Sequence, residues 1–330
     1  MTLSNPRAAF GRRTFTAGAL SALAAALVAR RAHGAEGRAL SIGYVPSTLF
    51  APVFLAIERG YLGEAGFRPV ATPVVAGQDA LALLATGHLD MVAAGVSAAF
   101  FNGVSRGLDI RIVASTGYQP KKGHPSALMV RKDLYDAGLR SPRDLRGKTI
   151  AFIGGAGATA GYYVARILRR DGLRFSDVRT VNISTTDQGV AFERKAIDAA
   201  FTSAPSTQAF EERGLATIVA GPPPGISATG ILFGPTLLRE LKSASSILEA
   251  CRHGAADVAG AGYTRPETVA AFVKYTSQPA EVITRSDRYD FARDLRIDQT
   301  TIEDMQREFF DEGALTYKEP LPPSRLVARF

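Results

Sequence analysis

A single cysteine, Cys251, stands in a chain of 330 residues. One cysteine excludes an intramolecular disulfide, a cysteine-based zinc site and an iron–sulfur cluster. It also lies far from the N-terminal end, so no cysteine is placed there for lipid modification. Histidine is nearly as scarce. His33, His88, His124 and His253 are scattered, with no H-E-x-x-H or H-x-E spacing, which argues against a metal or histidine-based centre. Gly103-Val104-Ser105-Arg106-Gly107 fits G-x-S-x-G in letters, but it closes an apolar helical stretch instead of joining a strand to a helix, so it makes no nucleophile elbow. Paired carboxylates are missing from the loops that matter below, where Asp79 and Asp187 read as helix caps. No cofactor and no metal are expected. Beyond the first 35 residues no run is long and apolar enough to cross a bilayer.

Acidic residues are absent from the first 35 positions, which carry Arg7, Arg12, Arg13, Arg30 and Arg31. The formal net charge of +8 therefore misleads. Without that segment it falls to +3, and the remaining Lys and Arg alternate with acids as on an ordinary solvated surface. Nucleic acid is not an expected partner. Gly11-Arg12-Arg13-Thr14-Phe15 followed by the apolar stretch Ala17 to Ala29 reads as a twin-arginine export signal over residues 1–35. Ala32-His33-Gly34 supplies the small residues for cleavage near Gly34 or Ala35. The mature chain is expected in the periplasm, without a lipid anchor.

What is present is a repeated α/β pattern. Ser41 to Val45 reads as a strand and Pro46 to Phe50 as a hydroxyl-bearing loop, with Ser47 or Thr48 placed to cap a helix over Ala51 to Leu62. A strand over Phe67 to Val75 leads through Ala76-Gly77-Gln78-Asp79 to a helix over Ala80 to Ala85. Gly87-His88-Leu89-Asp90 then turns into the strand Met91 to Gly95. The series recurs from Lys148: strand to Ile153, glycine loop Gly154 to Thr159, helix Gly161 to Arg169, strand Val178 to Ile183. The loop Thr185 to Gly189 and a helix Val190 to Lys195 follow. Lys195-Ala196-Ile197-Asp198 falls on Gly87-His88-Leu89-Asp90. Strands alternating with helices predict parallel βαβ units whose ligands sit at the strand carboxyl ends.

The stretches Gly117 to Pro125 and Gly221 to Gly225 are rich in turn formers. Two such breaks around the second module predict two lobes. Residues 38–117 plus 226–330 form a discontinuous lobe 1, onto which the C-terminal helices fold, and residues 118–225 form lobe 2. The fold class is thus α/β, each lobe a mainly parallel sheet flanked by helices, with a cleft between.

Gly155-Ala156-Gly157-Ala158-Thr159-Ala160 fits the dinucleotide G-x-G-x-x-A in type and context. An exported chain and the lack of an acid at the end of the next strand (Val181-Asn182-Ile183-Ser184) argue against that ligand. A glycine loop opening a helix still offers free N–H groups to an anion. The other cleft loops share hydroxyls, amides and aromatics: Ser47, Thr48, Phe50, Gln78, Ser97, Tyr118, Thr159, Thr185, Thr186, Gln188, Thr202 and Ser203. Capping or turn roles are the alternative for several. None of these loops carries Lys or Arg.

Gly43-Tyr44-Val45-Pro46-Ser47-Thr48, Ala51-Pro52, Ala56-Ile57-Glu58-Arg59-Gly60-Tyr61-Leu62, Gly77-Gln78, Ala85-Thr86-Gly87-His88-Leu89-Asp90 and Ser141 to Gly147 with the following glycine loop closely resemble one family. It is the periplasmic solute-binding proteins of ABC importers, of the nitrate/sulfonate/taurine/bicarbonate type related to NMT1/THI5-like proteins. The resemblance spans about residues 40–220. It implies a type II periplasmic binding fold, a monomer that closes on a small molecule and delivers it to an ABC permease in the inner membrane, without enzymatic activity. Ligand contacts are implied at Ser47, Thr48, Phe50, Gln78, Gly95, Ser97, Tyr118, Gly155, Ala156, Thr159, Thr186, Gln188, Thr202 and Ser203. A small sulfonate-like or carboxylate-like organic anion is the expected cargo. The alternatives are a THI5-like pyrimidine-related enzyme or precursor binder, and a receptor subunit for a membrane sensor. Pyrimidine-synthesising relatives use a cysteine-rich motif, from which a chain with one cysteine departs.

Overall fold

The computed structural model describes residues 37–330. The export signal and its cleavage site lie outside them. In chain order the first unit runs β1 (Arg38–Tyr44), α1 (Ala51–Glu58), β2 (Phe67–Pro73), α2 (Gly77–Ala85), β3 (Met91–Gly95), α3 (Ala98–Ser105) and β4 (Arg111–Ser115). The second runs β5 (Ser126–Arg131), β6 (Thr149–Ala151), α4 (Thr159–Arg170), β7 (Arg179–Val181), α5 (Thr185–Glu193), β8 (Ala199–Ser203), α6 (Ser206–Glu212) and β9 (Ala216–Ala220). The chain then adds β10 (Thr229–Phe233), α7 (Leu241–Val258), α8 (Pro266–Thr276), α9 (Ala280–Arg285) and α10 (Gln299–Asp311).

The strands form two sheets of matching order, β2-β1-β3-β10-β4 and β7-β6-β8-β5-β9. In each, the βαβ strands pair in parallel. The strand next to the far edge, β10 or β5, runs antiparallel to both neighbours. Each sheet is therefore mixed, not uniformly parallel. The internal repeat is visible atom for atom. Asp90 accepts the Ser41 N–H at 2.8 Å, and Asp198 accepts the Thr149 N–H at 2.9 Å. Each aspartate ties the end of a helix–strand turn to the neighbouring strand, in mid-strand at Ser41 and at the first residue at Thr149.

Several expected boundaries move. The helix foreseen over Ala51 to Leu62 ends at Glu58, because Gly60 takes φ +79° and a separate turn follows. The Thr185–Gln188 segment is not a loop: Ser184 accepts from the Asp187 N–H and starts α5 at Thr185. α4 likewise begins at Thr159, two residues earlier than foreseen. Asp79 sits at the third position of α2, and its carboxylate accepts the Ala76 N–H at 3.1 Å.

The C-terminal helices divide their loyalties. α7 packs along α1, where a Cβ at Gly254 would stand 2.1 Å from the Pro52 carbonyl, so only glycine permits that approach. The Phe54 and Tyr275 rings stack at 4.4 Å, joining α8 to α1. α10 instead reaches the second unit. Tyr162 donates to Asp304 at 2.8 Å, and Arg169 pairs with Glu308, Asp311 and Glu312. Phe309 meets both Phe101 of α3 and Tyr162 of α4. One apolar cluster consequently runs from Phe100 and Phe101 through Met305 and Phe309 to Ile150 and Phe152.

Between the sheets the chain crosses at 116–125 and again at 221–228, and the two passages are hydrogen-bonded. Gln119 N–H donates to Ile226 O at 2.9 Å, and Gly225 N–H to Gln119 O at 2.8 Å. A further pass at 286–298 lies against them. Tyr118 and Asp290 exchange backbone bonds of 2.8 and 3.0 Å.

Candidate ligand-binding site

The ends of the two sheets face each other across a cavity of about 480 Å3. From the first unit Ser47, Phe50, Gln78, Gly95 and Ser97 line it; from the second, Thr159, Thr185, Thr186, Thr202 and Ser203. The lining holds no Asp, Glu, Lys, Arg or His. Any charge on an occupant is therefore met by dipoles and hydroxyls.

Of the helices that begin at this cavity, α2, α3, α4 and α6 have no side-chain cap. α2 follows Ala76 and α4 follows Ala158, which have no oxygen to offer. α3 follows Ser97, whose hydroxyl does not cap it. First-turn N–H groups have no partner inside their own helix, and the helix dipole adds partial positive charge there. α5 also opens at the cavity, through Thr185 and Thr186, and keeps its cap: Ser184 accepts the Asp187 N–H at 3.3 Å.

Two hydroxyls stand out. Ser97 Oγ and Thr202 Oγ1 are buried, each residue 3% exposed, and neither has a hydrogen-bond partner among the described residues. One comes from each unit. A buried polar atom left without a partner costs roughly 1–3 kcal/mol, so this pair points to a polar group supplied by an occupant. Ser203 is already engaged, 3.2 Å from the Ser126 hydroxyl, which itself lies 2.9 Å from the Tyr289 hydroxyl.

The remaining surface is apolar. Val45, Leu49, Val74, Ile153, Tyr163 and Phe201 flank the polar groups. Tyr163 is fully buried, which pushes its phenol up to about 12, and its oxygen accepts the Ala228 N–H at 3.1 Å. Sequence reasoning gave no ligand role to these residues. It also missed Thr276 and Gln278, which arrive from the end of α8. Their signal is tertiary only.

Five expected site residues lie outside the lining. Thr48 is 1% exposed and turned into the core of the first unit. Tyr118 serves the crossing: its hydroxyl donates to Arg296 O at 2.8 Å. Gln188 is fully buried, its amide donating to Ile183 O and Phe201 O from behind the wall. Gly155 and Ala156 belong to the glycine loop, which braces other protein atoms. Gly154 N–H donates to Asn182 at 2.8 Å, and Gly157 O accepts the Ala98 N–H at 2.7 Å.

Solved structures of the same fold include the alkanesulfonate-binding protein SsuA of Xanthomonas axonopodis pv. citri bound to MOPS. It is 20% identical, with TM-score 0.72, covering 89% of this chain and 99% of that one. The periplasmic nitrate-binding protein NrtA of Synechocystis is 14% identical, with TM-score 0.67, covering 86% and 83%. An enzyme also shares the fold: a cysteine-to-serine mutant of DszB in complex with biphenyl-2-sulfinic acid is 15% identical, with TM-score 0.59, covering 88% and 96%. No curated protein matches the chain. These likenesses establish the two-lobed periplasmic binding protein fold. The sequence pattern described as NMT1/THI5 like matches residues 47–221, which is more than half of the chain and holds most of the cavity's polar groups, and the protein belongs to the NMT1/THI5-like family.

Proposed function

We propose that the protein is the periplasmic solute-binding component of an ABC importer, which captures a small organic anion between its lobes and hands it to an inner-membrane permease. The observation that carries this reading is the pair of buried, unpartnered hydroxyls, Ser97 and Thr202, on opposite walls of a cavity whose lining has no Asp, Glu, Lys, Arg or His. The residues at that cavity suit a sulfonate or carboxylate group held by hydroxyls and by the open ends of α2, α3 and α4. The flanking Phe50, Phe201 and Tyr163 suit an apolar body. A volume of about 480 Å3 falls in the range of small-molecule pockets and far exceeds what an inorganic oxyanion fills. A dianion would leave one charge uncompensated, since no lining cation faces it.

Export as a twin-arginine substrate and function as a monomer complete the proposal. Lobe 1 is read as 38–117 plus 226–330 and lobe 2 as 118–225, with the ligand favouring the form in which both walls touch it.

Turnover is the competing reading, since a desulfurization enzyme shares the fold. The only thiol of the sequence argues for carriage. Cys251 is fully buried within the first unit's core, its thiol pushed up to about 12 by burial, and it does not line the cavity. No lining group is suited to take or give a proton near neutral pH.

The test is a thermal-shift screen over alkyl and aryl sulfonates, aromatic carboxylates, pyrimidines, nitrate, sulfate and dicarboxylates. A monoanion with an apolar body is expected to raise the melting temperature by roughly 5–10 °C at a hundredfold excess over Kd, and to be recovered unchanged. Nitrate, sulfate and dicarboxylates are expected to give no shift. A pyrimidine that alone shifts the transition, or a ligand consumed with turnover, would end the proposal.

A further inference from the structure

The wall where the two units meet is closed by protein atoms. Thr159, first residue of α4, donates its hydroxyl to Val96 O at 2.6 Å. The Ala98 N–H donates to Gly157 O at 2.7 Å. Beside them β3 ends on Gly95, and a Cβ there would stand 2.1 Å from Thr159 Oγ1 and 2.8 Å from Thr159 Cβ. No rotation of a side chain relieves an overlap with Cβ itself. Only a residue without a side chain lets α4 come this close.

α4 is held to α10 at its other end. Tyr162 donates to Asp304, while Arg169 pairs with Glu308 at 2.9 Å and Asp311 at 3.0 Å. Asn102 of α3 in turn donates to Ala314 O at 3.0 Å and accepts the Thr316 N–H at 2.8 Å. α4 thus spans the join, with its first residue at the cavity and its last turns on a helix that the first unit also grips.

We propose that Gly95 and Thr159 form the closing contact between the lobes, and that Thr159 acts on binding by holding the closed form together. This assigns Thr159 a role apart from ligand contact, because its hydroxyl proton is already committed to Val96 O. The bonds at this wall join protein to protein, so the closed form is populated by the ligand-free protein. Thr159 thereby sets the fraction of molecules competent to trap cargo, and any ligand's apparent affinity scales with that fraction. The idea rests on the cavity being a ligand site only for that last consequence; the contact itself is testable with no ligand.

Small-angle X-ray scattering on the ligand-free protein decides it. Gly95→Ala is expected to enlarge the radius of gyration, because the added Cβ keeps α4 away. Thr159→Val removes the donor with little change in volume. It is expected to shift the closed-to-open ratio about two- to tenfold toward open, the span of one net hydrogen bond, and to give an intermediate curve. Gly95→Ala combined with Thr159→Gly removes the overlap and the donor together, and is expected to return the curve from that of Gly95→Ala to that of Thr159→Val. Melting curves by circular dichroism establish that each variant is folded. Scattering of Gly95→Ala that superimposes on wild type overturns the proposal, as does a double variant that stays as expanded as Gly95→Ala alone. Failure of every compound in the thermal-shift screen would sink the carrier reading and leave this result standing.

Discussion

At the residue scale the cavity is defined by what is left unpaired. Ser97 caps the start of α3 in position but not in bonding, and Thr202, next to last in β8, has its hydroxyl buried. In the free protein these oxygens contribute little stability, and removing them relieves a desolvation penalty. In a complex each would hydrogen-bond an anionic oxygen, an interaction worth about 1.5–3 kcal/mol when one partner is charged. Ser97→Ala and Thr202→Ala are therefore expected to leave the ligand-free melting temperature unchanged or slightly raised. Each is expected to weaken binding by roughly 10- to 100-fold. Calorimetric titration alongside melting separates the two effects. A variant that lowers the ligand-free melting temperature without touching affinity would show that the hydroxyl serves the fold.

At the scale of elements the repeat is a set of identical solutions to the same local problem. A strand must begin beside the turn that ends the preceding helix, and an aspartate bridges them by accepting an N–H that would otherwise lack a partner. Asp90 does this for Ser41, and Asp198 does it for Thr149. Replacing either with alanine strands a half-buried N–H, at a cost of about 1–2 kcal/mol. Asp90→Ala and Asp198→Ala should destabilise by similar amounts in urea unfolding, since both bonds have the same geometry. A loss confined to one of them would mean that the two halves are only superficially alike. Asp198 also sits 3.6 Å from Arg131, which donates to Ile197 O at 2.6 Å. The second module has thus added an arginine brace that the first lacks.

At the scale of the whole molecule, the two sheets share more than a hinge. Phe309 and Met305 of α10 belong to the same apolar cluster as Phe101 of the first unit and Phe152 of the second. Burial of shared apolar surface couples the units, because neither can unfold without exposing the other's partner side chains. Scanning calorimetry is expected to show one transition, with the calorimetric and van't Hoff enthalpies in agreement. Two resolved peaks would mean that the cluster does not couple them. On the proposed carrier reading, α10 is expected to restrain how α4 can swing, so that opening would be a constrained motion about the crossings at 116–125 and 221–228 and not a free separation.

The sequence by itself determined the alternation of strands and helices, the pairing of Asp90 with Asp198, the two turn-rich crossings and the uncharged character of the cleft loops. Each is written locally, in periodicity, caps and glycine placement, which a linear reading can reach. Tertiary structure alone decided which of those loops face a common space. Gln188 and Thr48 look like ligand donors in the chain but are buried behind the wall or in the core. Tyr163, Ile153 and Gln278 look like ordinary packing or linker residues but reach the cavity. It also decided that α10 would serve both units and that the Thr159 hydroxyl would go to Val96. Such outcomes depend on contacts between residues more than sixty positions apart, and no local preference encodes which face of a helix its distant partner will claim.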